Sequence, residues 1–246
     1  MITNQGDVPV MLITGGSGGI GQGLARRLRA QGCRVVLAAR DAPRLQAFAD
    51  KIGAEAVPTD VTIVAEVDAL VAGVLERHGR LDGVAHCVGS ILLKPLHLTS
   101  DDDWTRTLHL NLTSAFFVTR AVLAKHRAAV SIVLVSTSAA AVGVPNHEAI
   151  AAAKAGLEGL VRSAAATYAA RGVRVNAVAP GLVRTPLSAR ITGSDAALKT
   201  SLALHPIGRI GDPDDVAAML EHLLDPAHSW ITGQVIGVDG GMSRLR

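Results

Sequence analysis

At 246 residues the chain is long enough for one large α/β domain, and an apolar share of 49% suffices to fill its core. A formal charge of +3 without any block of basic residues, and aromatic residues at 2%, give nucleic-acid binding neither a basic stripe nor stacking platforms. No apolar run of 18 residues reads as a membrane span, and the polar start from Met1 to Val8 lacks the basic-then-apolar order of an export signal, so a cytoplasmic protein is expected. Cys33 and Cys87 sit inside apolar segments and read as core residues of a reducing compartment. The nine histidines show no ligand spacing with Cys, Asp or Glu, so no metal site is expected.

In chain order, a first strand over Val10 to Thr14 runs into the glycine cluster of MLITGGSGGIG, and a helix over Ile20 to Gln31 follows. In that order the glycines have separate uses. Gly15 allows a tight turn, Gly19 an uncluttered approach for a pyrophosphate, and Gly21 close packing of helix on strand, with Ser17 and Ile20 in the same loop. The free N–H groups of the helix start then face the phosphates. After the second strand, Cys33 to Ala39, an acidic residue would accept the ribose 2′-OH of NAD, whereas arginine accommodates a 2′-phosphate. Ala39 and then Arg40 stand there, which favours NADP(H) over NAD(H). Asp41 either neutralises Arg40 or caps the helix over Ala42 to Ile52, and capping is preferred because a helix begins there.

The remaining strands are expected at Glu55 to Pro58, Leu81 to Val88, Val130 to Ser136, Val173 to Val178 and Gln234 to Val238. Helices are expected at Val64 to Arg77, Asp101 to Arg127, Asn146 to Ala170 and Pro213 to Leu224. Strand and helix alternating in this way predict a doubly wound, seven-stranded parallel sheet with helices on both faces, a Rossmann fold in a single domain over 1–246. Residues from about 9 to 140 form its cofactor-binding half and those from about 141 to 246 its substrate side. The stretch from about 185 to 209 has no strong period and reads as a mobile lid over one edge of a cleft, or as a plain surface excursion.

Together these motifs resemble the short-chain dehydrogenase/reductase family over nearly the whole chain. Thr14, Gly15, Gly19, Ile20 and Gly21 match its glycine loop, and Asp60 with Val61 match the acidic position that contacts adenine in the family. Asn111 in LHLNLTS matches the active-site asparagine. Pro180 and Gly181 in RVNAVAPG, followed by LVRTP, match the segment that cradles nicotinamide, where Val183 and Thr185 would contact the carboxamide. The resemblance implies a homodimer or homotetramer acting on a small-molecule substrate.

Two stretches depart from the pattern. HCVGS, His86 to Ser90, replaces Asn-Asn-Ala-Gly and keeps only Gly89. The second departure is at the proton donor: Lys154 matches the family's lysine, which in the family lowers the tyrosine's pKa and holds the nicotinamide ribose, but Ile150 occupies the tyrosine position four residues earlier. Counting back from there gives Thr137 for the serine that polarises the substrate carbonyl, with Ser138 beside it. Tyr168, the one tyrosine, lies fourteen residues past Lys154 and reads as helix packing.

His147, seven residues before Lys154, falls on the same helical face if the helix begins at Asn146. It is either the substitute acid or a solvent-facing residue of the first turn. Two functions remain open: an NADP(H)-dependent oxidoreductase acting on a ketone, an aldehyde or a carbonyl-activated C=C bond, or a cofactor-binding partner that has lost catalysis.

Overall fold

The structure is a computed structural model describing residues 8–245. The reading of the chain's start therefore lies, for its first seven residues, outside the described residues. The strands are β1 (Val10–Thr14), β2 (Arg34–Ala39), β3 (Glu55–Pro58), β4 (Gly83–His86), β5 (Ser131–Val135), β6 (Arg174–Pro180) and β7 (Val235–Val238). They form one parallel sheet in the order β3-β2-β1-β4-β5-β6-β7, the expected doubly wound arrangement. The helices are α1 (Gly19–Ala30), α2 (Ala42–Ile52), α3 (Val64–His78), α4 (Asp101–Leu108), α5 (Ser114–Lys125), α6 (Glu148–Tyr168), α7 (Ala189–Thr192), α8 (Asp195–Ala203) and α9 (Pro213–Leu224).

Strand residues alternate between faces, and each face meets its own layer of helices. Val10, Leu12, Val84, Ile132 and Val175 pack with Leu70 and Val74 of α3, Val118 of α5 and Leu157 of α6. Met11, Ile13, Val35, Leu37 and Val133 pack on the other side with Leu24 and Leu28 of α1, Leu45 of α2 and Leu220 of α9. Because both faces are covered, the strands are mostly apolar, with Thr14, His86, Ser131, Arg174 and Asn176 as buried polar exceptions. Burying a side chain the size of Leu12 or Ile13 contributes roughly 1.5–3 kcal/mol, which makes the sheet a firm platform for the loops at its carboxyl ends.

The helix expected over Asp101 to Arg127 is interrupted. α4 passes into a π turn at His109–Thr113 before α5 begins. The apolar spacing alone does not reveal this, because one inserted residue leaves the period nearly intact. The helix expected from Asn146 begins instead at Glu148, with His147 as its N-cap. Asn146 cannot serve as the cap because its φ of 64° lies in the left-handed region. The stretch at 185–209 is not structureless either. It holds a 3₁₀ turn at Pro186–Ser188 together with α7 and α8, helices too short to show a period in the sequence. Several strands also shift at their ends, most clearly β4, which pairs only over Gly83–His86, and β6, which runs on to Pro180.

Candidate active site

β1 is the switch point of the sheet, with β2 on one side and β4 on the other, and a crevice opens above the carboxyl ends of such strands. A cleft of about 740 Å³ lies there. Gly15, Ser17, Gly19, Ile20, Arg40, Asp60, Val61, Gly89 and Thr185 all line it, so sequence-distant candidates meet in one place. Gly21, Pro180, Gly181, Val183, Asn111, Thr137, Ser138, His147 and Lys154 are not part of its lining.

The glycine loop fits a pyrophosphate cradle by its steric limits. Gly15 has φ 77°, and a Cβ there would stand 2.7 Å from the Cys87 carbonyl. A Cβ on Gly21 would lie 2.4 Å from the Gly15 oxygen, and one on Gly19 would lie 2.9 Å from the Thr185 methyl. Side chains are therefore excluded from this loop by the chain's own packing, and α1 starts at that point with its N–H groups free of a side-chain cap.

At the far end of the cleft, Arg40 is well exposed, and its Nη1 stands 4.0 Å from Asp60 Oδ2. Asp41 does cap α2, accepting from the Arg44 amide at 3.0 Å, and so is not spent on Arg40. Arg44 joins Arg40 in the lining. The sequence reading missed it, although its place in the first turn of a helix that starts beside Arg40 was visible. Burial pushes the Asp60 carboxyl upward, but hydrogen bonds from the Thr62 hydroxyl and amide and the charge of Arg40 outweigh this and hold it below the usual range.

Deeper in, Asn111 belongs to the π turn and its amide is fully engaged. Its Oδ1 accepts from the Ser90 amide at 3.0 Å, while Nδ2 donates to Ser90 Oγ at 2.9 Å and to the Thr107 carbonyl at 3.0 Å. Lys154 is 4% exposed, and its ammonium donates to the Val135 carbonyl at 2.7 Å. Burial pulls its pKa down to about 8, with Cys87 acting in the opposite sense. Gly89 lies between these two residues: a Cβ there would be 3.0 Å from Asn111 Oδ1 and 3.6 Å from Lys154 Nζ. Ile150, on the same inward face of α6, is 6% exposed.

The hydroxyl candidates separate. Ser138 is buried and donates to Asp239 Oδ2 at 2.7 Å, which ties it to the chain's end. Thr137 is half-buried, and its Oγ1 accepts from the Ala139 amide at 3.3 Å. His147 Nδ1 is 2.8 Å from the Pro145 carbonyl, so Nδ1 carries the hydrogen and Nε2 is the free position. His147 is the N-cap of α6, with φ −107° and ψ 13°, and its carbonyl accepts from the Ala151 amide at 2.7 Å, so it stands where the helix begins.

Val183 bridges to Gly211, and Gly181 lies against His205, whose Nε2 would be 2.4 Å from a Cβ at that glycine. His86, the departure from the expected asparagine, is completely buried. Its Nδ1 lies 2.8 Å from Thr14 Oγ1 and its Nε2 3.1 Å from Ser114 Oγ, which in turn donates to the Leu110 carbonyl at 2.6 Å. Burial and, secondarily, the Lys154 charge lower its pKa to about 3.

A family model described as enoyl-(acyl carrier protein) reductase matches residues 15–243. The chain is 39% identical over 243 residues to cis-4-hydroxycyclohexanecarboxylate dehydrogenase of Sinomonas cyclohexanicum, covering 96% of this chain and 97% of that one. A short-chain type dehydrogenase/reductase from Mycobacterium ulcerans superposes with a TM-score of 0.92 at 34% identity, over 96% of this chain and 90% of the other. An actinorhodin polyketide ketoreductase variant solved with NADPH superposes with a TM-score of 0.92 at 32% identity, over 99% of this chain and all of the other.

Proposed function

The chain belongs to the short-chain dehydrogenase/reductase family, and on that premise we propose an NADP(H)-dependent oxidoreductase that takes its proton from a group other than tyrosine. Its substrate is a ketone, an aldehyde or a C=C bond activated by a carbonyl. The observation that carries this reading is the cleft itself, with a glycine cradle at one end, Arg40 and Arg44 at the other, and Gly89 in front of Lys154. A bound nicotinamide dinucleotide would supply the hydride. Gly15, Ser17 and Gly19 would hold its pyrophosphate, Asp60 and Val61 its adenine, Arg40 a 2′-phosphate, and Val183 and Thr185 the nicotinamide end. The NADPH-bound ketoreductase of the same fold supports the choice of NADP(H).

Thr137, free of the carboxylate bond that engages Ser138, is the hydroxyl suited to orient a substrate oxygen. Trp104 on α4 and Phe116 on α5 are exposed, which supports a homodimer or homotetramer joined through those helices.

Titration with NADPH and NADH tests the cofactor assignment. Arg40→Ala is expected to weaken NADPH at least about tenfold while leaving NADH little changed, as the loss of one charge-assisted contact to phosphate implies. Equal losses for both would overturn the NADP(H) preference. Ile150 also favours a second reading, a cofactor-binding partner without catalysis: tight NADPH binding with no consumption across ketones, aldehydes and enones would select it.

A further inference from the structure

The backbone that leads from β6 to Thr185 leaves the sheet at Gly181, whose amide donates to the Val238 carbonyl at 3.2 Å. The next amide, that of Leu182, lies past this ladder. It donates instead to Nε2 of His205, at 3.0 Å. His205 is 3% exposed and follows α8 in the lid stretch. Because a backbone N–H can only donate, Nε2 is the bare nitrogen of the ring, and Nδ1 carries the hydrogen that goes to the Ser201 carbonyl of α8, 2.6 Å away. One ring thus joins the loop after β6 to the lid.

The fit around the ring is close. A Cβ on Gly181 would stand 2.4 Å from Nε2, so only glycine lets the imidazole reach the next amide. The residues that carry the ring are tied down as well: a Cβ on Gly240 would lie 3.6 Å from that of His205, and the Ile207 amide donates to the Gly240 carbonyl at 3.1 Å. Asp239, in the same turn, accepts from Ser138, the neighbour of Thr137.

From Leu182 the path to the cleft is short. Val183 bridges to Gly211, the Arg184 amide donates to the Gly211 carbonyl at 2.8 Å, and Thr185 enters the lining with Pro186 and Leu187. A displacement at Leu182 is therefore passed to Thr185, whereas Arg40 and Asp60 stand at the far end of the cleft, after β2 and β3.

We infer that His205 is a positioning residue for the nicotinamide: its imidazole fixes the backbone that seats this end of the cofactor and holds the lid to that backbone. It acts through Leu182 and touches neither cofactor nor substrate. The inference rests on the oxidoreductase reading above, in which Val183 and Thr185 receive the nicotinamide. Without the Nε2 acceptor the Leu182 N–H is left unpaired at a half-buried point, and the loop shifts to satisfy it.

Two ligands that share one half separate this role from general support of the fold. Adenosine 2′,5′-bisphosphate has the adenine and the 2′-phosphate of NADPH but no nicotinamide. In His205→Leu, which keeps bulk and offers no acceptor, the Kd for NADPH is expected to rise about tenfold, as the loss of one hydrogen bond implies, while the Kd for the bisphosphate stays within about twofold. His205→Gln returns an acceptor oxygen at the level of Nε2 and is expected to bring NADPH binding back to within about threefold of the unaltered protein. Gly181→Ala pushes the ring away from the Leu182 amide and is expected to give the same split as His205→Leu.

A folded His205→Leu that binds NADPH as tightly as before, an equal loss for both ligands, or a glutamine variant as weak as the leucine one would each overturn the assignment alone. If the unaltered protein did not bind NADPH, the reading of the cleft as an NADP(H) site would fall and this assignment with it.

Discussion

His86 carries a buried relay whose hydrogens can be placed from the chemistry of its ends. The Leu110 carbonyl only accepts, so Ser114 donates to it and receives Nε2–H, which leaves Nδ1 to accept from the Thr14 hydroxyl. The ring must therefore be neutral, in agreement with a folded pKa near 3 against about 6.5 unfolded. Because the folded value is the lower one, the unfolded chain binds the proton first. This contribution to stability is fully present above about pH 6.5 and is lost progressively as pH falls toward 3. Urea unfolding at pH 7 and pH 5 is expected to show a loss of about 2 kcal/mol that is absent in His86→Asn, and equal slopes in both proteins would refute it. Ile150→Tyr tests the same neighbourhood from the catalytic side. Restoring a phenol four residues before Lys154 is expected to raise ketone reduction by about tenfold or more in steady-state assays, and a folded, NADPH-binding variant with no gain would contradict a reductase site. Neither residue's behaviour was legible in the sequence. The absence of tyrosine at 150 was plain, but the burial of Lys154 and the partners of His86 depend on contacts with distant chain segments.

α6 owes its position to a bend just before it. Asn146 holds φ 64°, its carbonyl accepts from the Lys94 amide at 2.9 Å, and His147 then caps a helix that delivers Ile150 and Lys154 to the interior. Asparagine tolerates the left-handed region and β-branched residues do not. Asn146→Val is expected to cost about 1–3 kcal/mol in thermal or urea unfolding and to lower kcat through displacement of α6, whereas Asn146→Gly should be nearly neutral. The sequence placed this helix correctly to within two residues but took Asn146 for its cap, because capping composition and left-handed composition favour the same amino acid. The π turn at His109–Thr113 was hidden for a related reason: it changes backbone pairing, not the order of polar and apolar residues. By contrast, the Asp41 cap and the glycine loop are local devices, and local devices can be read from the sequence.

At the scale of the whole molecule, alternating apolar runs and helical periods sufficed for the sheet and its two helical layers, since burial on both faces leaves a compositional mark on every strand. The cleft was legible only as a list of candidates, because its walls come from the chain at the carboxyl ends of β1, β2, β3 and β4, from Leu110 of the π turn and from Thr185, Pro186 and Leu187. One further consequence concerns the order in which the chain is synthesised. α1, which follows the glycine loop of the cleft, packs closely on α9: a Cβ on Gly23 would stand 3.3 Å from that of Ala217, and Arg27 pairs with Glu221. α1 thus waits for α9, so a nascent chain ending before Pro213 leaves the apolar face of Leu24 and Leu28 partly uncovered. Such an intermediate is expected to be a target for chaperones, and this end of the cleft would not be finished until α9 has been made.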